Sequence, residues 1–241
     1  MSQNIYDRPD FFEGYRQLER SRRGLEGAPE WPALRALLPA VHGLDVLDLG
    51  CGFGWFCRWA HAQGARTVVG LDLSENMLTR ARELTAPGTV SYRRADLEEV
   101  ALPAGGFDLV YSSLALHYLE HLPELLDRVY AALRPGGQLV FSVEHPIFTA
   151  PRRPGWLQPD GHRTWPVDQY LLEGPRVTDW LAPGVVKQHR TVSTYLNLLI
   201  TRGFTVRHLE EWGPTDAQVA AQPELAEERE RPMFLLVAAT R

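Results

Sequence analysis

The chain has 241 residues, of which 44% are hydrophobic and 23% charged, and its formal net charge is −5. That is enough apolar material for the core of one large domain, and it excludes collagen-like, coiled-coil, low-complexity and disulfide-stapled architectures. An acidic balance gives no general pull toward nucleic acid or an anionic membrane, so neither is expected as a partner.

The N-terminal stretch MSQNIYDRPDFFEGYRQLER lacks the apolar centre of a secretory signal, and no apolar run approaches the length needed to span a bilayer, so a cytoplasmic location is expected. Cys51 and Cys57 do not form a CxxC pair or a zinc-type cluster and read as buried thiols. Lys187 is the only lysine, leaving arginine to carry nearly all positive charge.

In chain order, the sequence opens with helical spacing, including the aromatic cluster Tyr6, Phe11, Phe12 and Tyr15. Strands are predicted at Asp45–Leu49, Thr67–Leu71, Val90–Arg94, Phe107–Ser112 and Gln138–Val143, each a short apolar run bounded by Gly, Pro or Asp. Between them, helices are predicted over Phe53–Gln63, closing at Gly64; over Glu75–Leu84, after a Ser74 N-cap; and over His121–Leu133, stopped by Pro135-Gly136-Gly137. A Pro- and Trp-rich irregular stretch follows. The end of the chain predicts a helix over Val192–Arg202, a strand over Phe204–Glu211, a helix around Pro223–Arg229 and a last strand over Met233–Thr240. Alternation of strand and crossover helix predicts an α/β fold, a doubly wound and mostly parallel sheet with helices on both faces.

In such a sheet ligands bind beyond the carboxyl ends of the strands, and the first strand supplies the loop. Here the loop reads Asp48-Leu49-Gly50-Cys51-Gly52-Phe53-Gly54. Alternate glycines let the backbone turn tightly and approach a ligand, and the next helix presents free N–H groups. A dinucleotide fingerprint needs a third glycine where this chain has Trp55, and Asp48 would repel a pyrophosphate while attracting an ammonium group. A nicotinamide oxidoreductase is therefore disfavoured, and an amino-acid-bearing nucleoside is favoured. Asp72 ends the second strand, where a carboxylate accepts from ribose hydroxyls. Ala95-Asp96-Leu97 follows the third strand; Asp96 is placed to accept from an adenine amino group, with Leu73, Met77 and Leu97 sandwiching the ring.

These pieces, VLDLGCGFG over 46–54, VGLDLS over 69–74, ADL over 95–97, FDLVYS over 107–112 and LRPGG over 133–137, together resemble the class I S-adenosylmethionine-dependent methyltransferases. The resemblance implies a Rossmann-like seven-stranded sheet of order 3-2-1-4-5-7-6 with the last strand antiparallel, and S-adenosyl-L-methionine as cofactor. It implies cofactor contacts from Asp48, Gly50, Cys51, Gly52 and Gly54 on the methionine side, Asp72 on the ribose, and Leu73, Met77, Ala95, Asp96 and Leu97 on the adenine, with Ser112 and Tyr15 as further cofactor candidates. The expected organisation is one domain over 1–241: an N-terminal helical lid (1–40), a cofactor-binding core (44–145), a substrate lid (146–190) and a helix and strand completion of the sheet (191–241).

The acceptor side is read from the lid segments. Phe148, Trp156, Trp165, Tyr170 and Trp180, with the N-terminal aromatics, favour a flat, mostly apolar small-molecule acceptor taking the methyl on O or N. His117, just past the fourth strand, His145, just past the fifth, and His189, before the helix at Val192, are the candidate catalytic residues. No metal is expected, because no ligand pair at helical spacing supports one. The C-terminal stretch is similar to bacterial free-standing small-molecule methyltransferases, toxoflavin-type N-methyltransferases among them. Two alternatives stay open: an RNA or protein methyltransferase using Arg20 to Arg23 and Arg152-Arg153 on phosphates, and a non-catalytic protein that only binds the cofactor. A monomer and a homodimer fit equally.

Overall fold

The computed structural model describes residues 3–241; the first two residues of the expected N-terminal lid lie outside the described residues. Helices α1 (Pro9–Arg16), α2 (Glu19–Arg22) and α3 (Trp31–Leu37) precede the sheet. The alternating core follows as β1 (Asp45–Leu49), α4 (Trp55–Ala62), β2 (Thr67–Asp72), α5 (Glu75–Glu83), β3 (Ser91–Arg94), β4 (Phe107–Ser113), α6 (Leu122–Ala132) and β5 (Leu133–Glu144). Then come α7 (Pro146–Thr149), β6 (Gly174–Thr178), β7 (Val185–His189), α8 (Val192–Thr201), β8 (Thr205–Trp212), α9 (Asp216–Ala221) and β9 (Phe234–Thr240).

One sheet has the order β3-β2-β1-β4-β5-β9-β8, which is 3-2-1-4-5-7-6 when its own strands are counted. β1 to β5 pair in parallel, and β9 is antiparallel to both β5 and β8. Sequence explains why β1 lies at the centre: DVLDL is buried along its whole length, and a strand covered on both faces has no polar side to show. Leu47 and Leu49 point into one layer with Leu125, Val129, Leu139 and Phe141, whereas Val46 points into the other with Phe56, Cys57 and Tyr111. Successive side chains of a strand alternate faces, so one strand feeds two cores.

Three local readings shift. The turn at Arg134 to Gly137 does not interrupt the chain between helix and sheet, because β5 begins at Leu133 and pairs with Phe107 across a bulge. The helical signal near Pro223 is a 3-10 helix over Pro223–Arg229, and a separate α9 precedes it with a Thr215–Gln218 capping box. The stretch 146–190 contains a β6–β7 hairpin in antiparallel register, Gly174 opposite His189. Exposed Val177 and the prolines around it hide that alternation from a sequence reading.

Candidate functional site

The loop after β1 is shaped by three glycines in the left-handed region, Gly50, Gly52 and Gly54, with φ of 76°, 52° and 70°. The N–H groups of Gly50 and Cys51 both donate to Leu71 O, at 2.8 and 2.9 Å, which ties the loop to the end of β2. A Cβ at Gly50 would stand 2.4 Å from the Ala115 Cβ, so this glycine is required by close approach as well as by φ. At Gly52 nothing lies within 4 Å of where a Cβ would be, so the backbone there is open to a ligand.

Asp72, at the end of β2, accepts from Gly52 N at 2.8 Å through one oxygen and from Ser74 N at 2.9 Å through the other. Each oxygen keeps a second lone pair for a hydroxyl donor. Burial pushes this carboxyl up to about 6, against the pull of the Ser74 and Gly52 N–H groups, and the Asp7 charge raises it further. Asp48 is only 2% exposed and receives the Cys57 thiol at 3.2 Å. Burial raises it to about 7, the thiol opposes this, and Asp72 adds to it. Two acids reluctant to ionise at the mouth of a glycine loop form a site that gains from a ligand bearing a positive charge and hydroxyl donors. Cys51, within the loop, is buried and its thiol is pushed up to about 11, so it lines the loop as an apolar group.

The remaining cofactor candidates are placed as follows. Ala95 N donates to Asp72 O at 2.9 Å, which sets the end of β3 against the end of β2. Asp96 accepts from Glu98 N at 3.0 Å and so shapes the turn that carries Leu97. Leu97 and Met77 are buried, and Leu73 is half-buried beside Asp72. Ser112 is fully buried and donates to Leu49 O at 2.7 Å, so its side chain joins β4 to β1. Tyr15 packs its ring 5.8 Å from that of Phe53 and feels the Asp72 charge, which brings α1 over the glycine loop.

A roof closes over these strand ends. Ile5, Phe11, Ala182 and Val185 form a small buried core, with Tyr6, Tyr15, Tyr118, Trp180 and Leu181 packed on it. Gln3 donates to Gly184 O at 2.8 Å and accepts from Val186 N at 2.9 Å, and Arg8 donates to Pro183 O at 3.1 Å. Asp7 pins the same segment to the floor, accepting from the Ser74 hydroxyl at 2.5 Å and from Asn76 N at 3.1 Å.

The three histidines differ. His145 uses both ring nitrogens: Nδ1 accepts from Ile147 N at 3.0 Å as the N-cap of α7, and Nε2 lies 2.9 Å from Glu211. His189 is also engaged twice, by the Thr149 hydroxyl at 2.8 Å and by Tyr170 O at 2.9 Å. Neither presents a free nitrogen. His117 is 1% exposed; its Nδ1 accepts from Glu144 N at 3.3 Å, which leaves the proton on Nε2. Burial first, then Lys187 and Arg190, hold it down to about 4 against the opposing pull of Glu144, so at neutral pH it is a neutral N–H donor. Among the described residues no group of three His, Cys, Asp or Glu side chains is arranged to hold a metal ion.

Sequence reading did not single out Glu144 and Lys187 as a pair, nor Tyr6 with Tyr118. Lys187 Nζ lies 2.5 Å from Glu144 Oε1 and 4.9 Å from the centre of the Trp180 ring, with side chains 5% and 13% exposed. The Tyr6 hydroxyl donates to that of Tyr118 at 3.3 Å. A lone lysine in an arginine-rich chain, opposite an acid that ends a central strand, was the available signal.

Comparison with known proteins decides the family. A methyltransferase-domain family matches residues 47–141. The chain is 64% identical to an S-adenosylmethionine-dependent methyltransferase of Mesorhizobium loti, superposing with a TM-score of 0.87 over 90% of this chain and 100% of that one. This chain belongs to the S-adenosylmethionine-dependent methyltransferase family. Curated relatives match over shorter spans. An uncharacterized protein of Haemophilus influenzae is 40% identical over 61% of this chain and 60% of its own length. The malonyl-[acyl-carrier protein] O-methyltransferase of Pectobacterium atrosepticum is 43% identical over 45% of this chain and 42% of its own. The chain thus spans between two fifths and three fifths of the length of these two relatives. S-adenosylmethionine is the family's cofactor, and the open backbone at Gly52 and the two acids Asp48 and Asp72, both held above the ordinary carboxylate range, suit it. No helix among the described residues is long and apolar enough to cross a membrane.

Proposed function

We propose that this methyltransferase moves the methyl group of S-adenosylmethionine to an O or N atom of a small aromatic or heterocyclic acceptor. The observation that carries the reading is the roof. Tyr6, Tyr15, Tyr118 and Trp180 pack around Phe11 as an aromatic cover over the strand ends beside Asp72, and an apolar cover of this kind suits a flat apolar molecule better than an extended polymer.

When bound, the cofactor supplies the activated methyl, so the protein's part is alignment and exclusion of water. Gly50 to Gly54 and Asp48 hold the amino-acid end, and Asp72 holds the ribose. Tyr6 and Tyr118 wall the space between Asp72 and Glu144, and His117 presents an N–H donor beside them. The N-terminal segment and the β6–β7 hairpin act as one lid, since Gln3 and Arg8 bind the hairpin directly.

The arginines that favoured an RNA or protein acceptor are largely engaged within the chain. Arg20 pairs with buried Glu30 at 3.0 Å, and Arg22 and Arg23 reach Glu19 at 3.9 and 3.8 Å. The relative named for malonyl-[acyl-carrier protein] matches less than half of this chain, so its acceptor is not transferred.

The test is transfer of tritiated methyl from S-adenosylmethionine into an extract of the source cells, divided by ultrafiltration. Label in the small-molecule fraction supports the reading. Label confined to macromolecules replaces it with an RNA or protein acceptor, and cofactor affinity without any labelling replaces it with a binding protein.

A further inference from the structure

At the acceptor end of the roof, one polar atom is buried and unused. Glu144 Oε2 has no hydrogen-bond partner, while Oε1 of the same carboxylate is held by Lys187 Nζ at 2.5 Å. An unpaired buried carboxylate oxygen is expensive, and the great majority of such groups in native proteins are satisfied. This one is held in place from several sides. Its own backbone N–H is bonded to His117 Nδ1, its residue ends β5 in register with Phe234, and its cation is clamped over Trp180 in the lid. The charge of Glu144 reaches His117 and Tyr118, and Tyr118 is bonded to Tyr6, which in turn feels Asp72. A chain of contacts therefore runs from the ribose end of the floor to Glu144. Lys187 contributes to the orientation, since rotating the carboxylate to satisfy Oε2 would break the buried ion pair.

We propose that Glu144 Oε2 is the group that receives the acceptor's hydrogen, and that the acceptor therefore carries a hydroxyl or N–H at the atom to be methylated. This rests on the small-acceptor reading above and narrows it: a carboxylate acceptor, with no hydrogen to offer at neutral pH and a charge of the same sign, is excluded. Before transfer the acceptor's O–H or N–H donates to Oε2, which aims its lone pair at the methyl carbon. As the new carbon–oxygen or carbon–nitrogen bond forms, the carbon–sulfur bond of the cofactor breaks and its electron pair stays on sulfur. The acceptor's proton passes to Oε2 and leaves to solvent once the lid opens. Lys187 is a positioning residue that holds the carboxylate in this orientation. His117, neutral and with its free proton on Nε2, has no lone pair left to serve as this base.

Two measurements on the full-length protein test this, both using tritiated S-adenosylmethionine and the small-molecule filtrate of source cells. Alkali treatment of the wild-type product comes first, because a methyl ester releases volatile methanol whereas an ether or N-methyl product does not. Base-stable label is expected; methanol release leaves small-molecule methylation standing and overturns the Glu144 assignment. The second compares Glu144→Gln, which keeps the shape and can still hold Lys187. Labelling is expected to fall at least ~100-fold, the typical loss of a positioned base, with affinity for S-adenosylhomocysteine within about twofold of wild type. Labelling within about threefold of wild type overturns the assignment. Absence of small-molecule label from the wild-type protein overturns the small-acceptor reading and this inference with it.

Discussion

The floor of the site and its roof are built by different means. In the floor, Asp48, Gly50, Gly52, Gly54 and Asp72 lie within a short stretch of chain, and the bonds from Gly50 and Cys51 to Leu71 and from Gly52 to Asp72 join adjacent strands. In the roof, Gln3 reaches Gly184 and Val186, Tyr6 reaches Tyr118, and Glu144 reaches Lys187. A floor of that kind is dictated by local backbone conformation, whereas such a roof exists only after distant segments have met. The division matches the proposed function: the part assigned to a constant cofactor is local, and the part assigned to the acceptor is assembled at long range.

The largest effect expected from breaking the floor is at Gly50. Gly50→Ala adds a left-handed penalty of about 1–2 kcal/mol and a clash with Ala115 of about 1–3 kcal/mol, whereas Gly52→Ala carries the first cost alone. Urea unfolding of the two variants should separate them by the clash; equal losses would remove the close approach from the account.

Next is Asp48. Its folded value of about 7 lies above the ordinary carboxylate range, so between pH 4 and 7 the folded protein keeps a proton that the unfolded chain has released. Stability of the cofactor-free protein should therefore decline as pH rises through that window, by about 2–4 kcal/mol, and level off above it. Thermal unfolding of Asp48→Asn should show a shallower decline, the remainder coming from Asp72. A slope unchanged by the substitution would contradict the placement of Asp48.

The smallest effect tests the latch between roof and floor. Asp7→Ala removes the acceptor of the Ser74 hydroxyl and of Asn76 N, a loss of about 1 kcal/mol. Hydrogen exchange should rise in Phe11 to Tyr15 while β1 stays protected. Exchange that rises equally in β1 would mean that the two regions do not open separately.

Much of the floor was legible in the sequence because its signals are short in range. Alternate glycines demand positive φ, a run such as DVLDL has no polar face, and an acid at a strand end needs a partner. The sheet order followed from the family resemblance built on those same motifs. The roof was legible only as composition. Trp180 and Tyr6 could be read as aromatic, but nothing in their neighbourhoods says that they share a core, or that Gly174–Thr178 and Val185–His189 pair as a hairpin. The histidines show the same limit. His145 and His189 sit at strand ends where catalytic groups belong, yet a helix cap and a carbonyl partner occupy them, and those partners lie elsewhere in the chain or in backbone atoms that a sequence does not advertise.

The most direct test of the division is calorimetric titration of S-adenosylhomocysteine into wild type, Asp72→Ala and Glu144→Gln side by side. Asp72→Ala is expected to weaken binding by about 1.5–3 kcal/mol, through lost hydrogen bonds to a charged group, while Glu144→Gln stays within about twofold of wild type. Wild-type affinity in Asp72→Ala, or a comparable loss in Glu144→Gln, would contradict a floor that binds the cofactor and a roof that serves the acceptor.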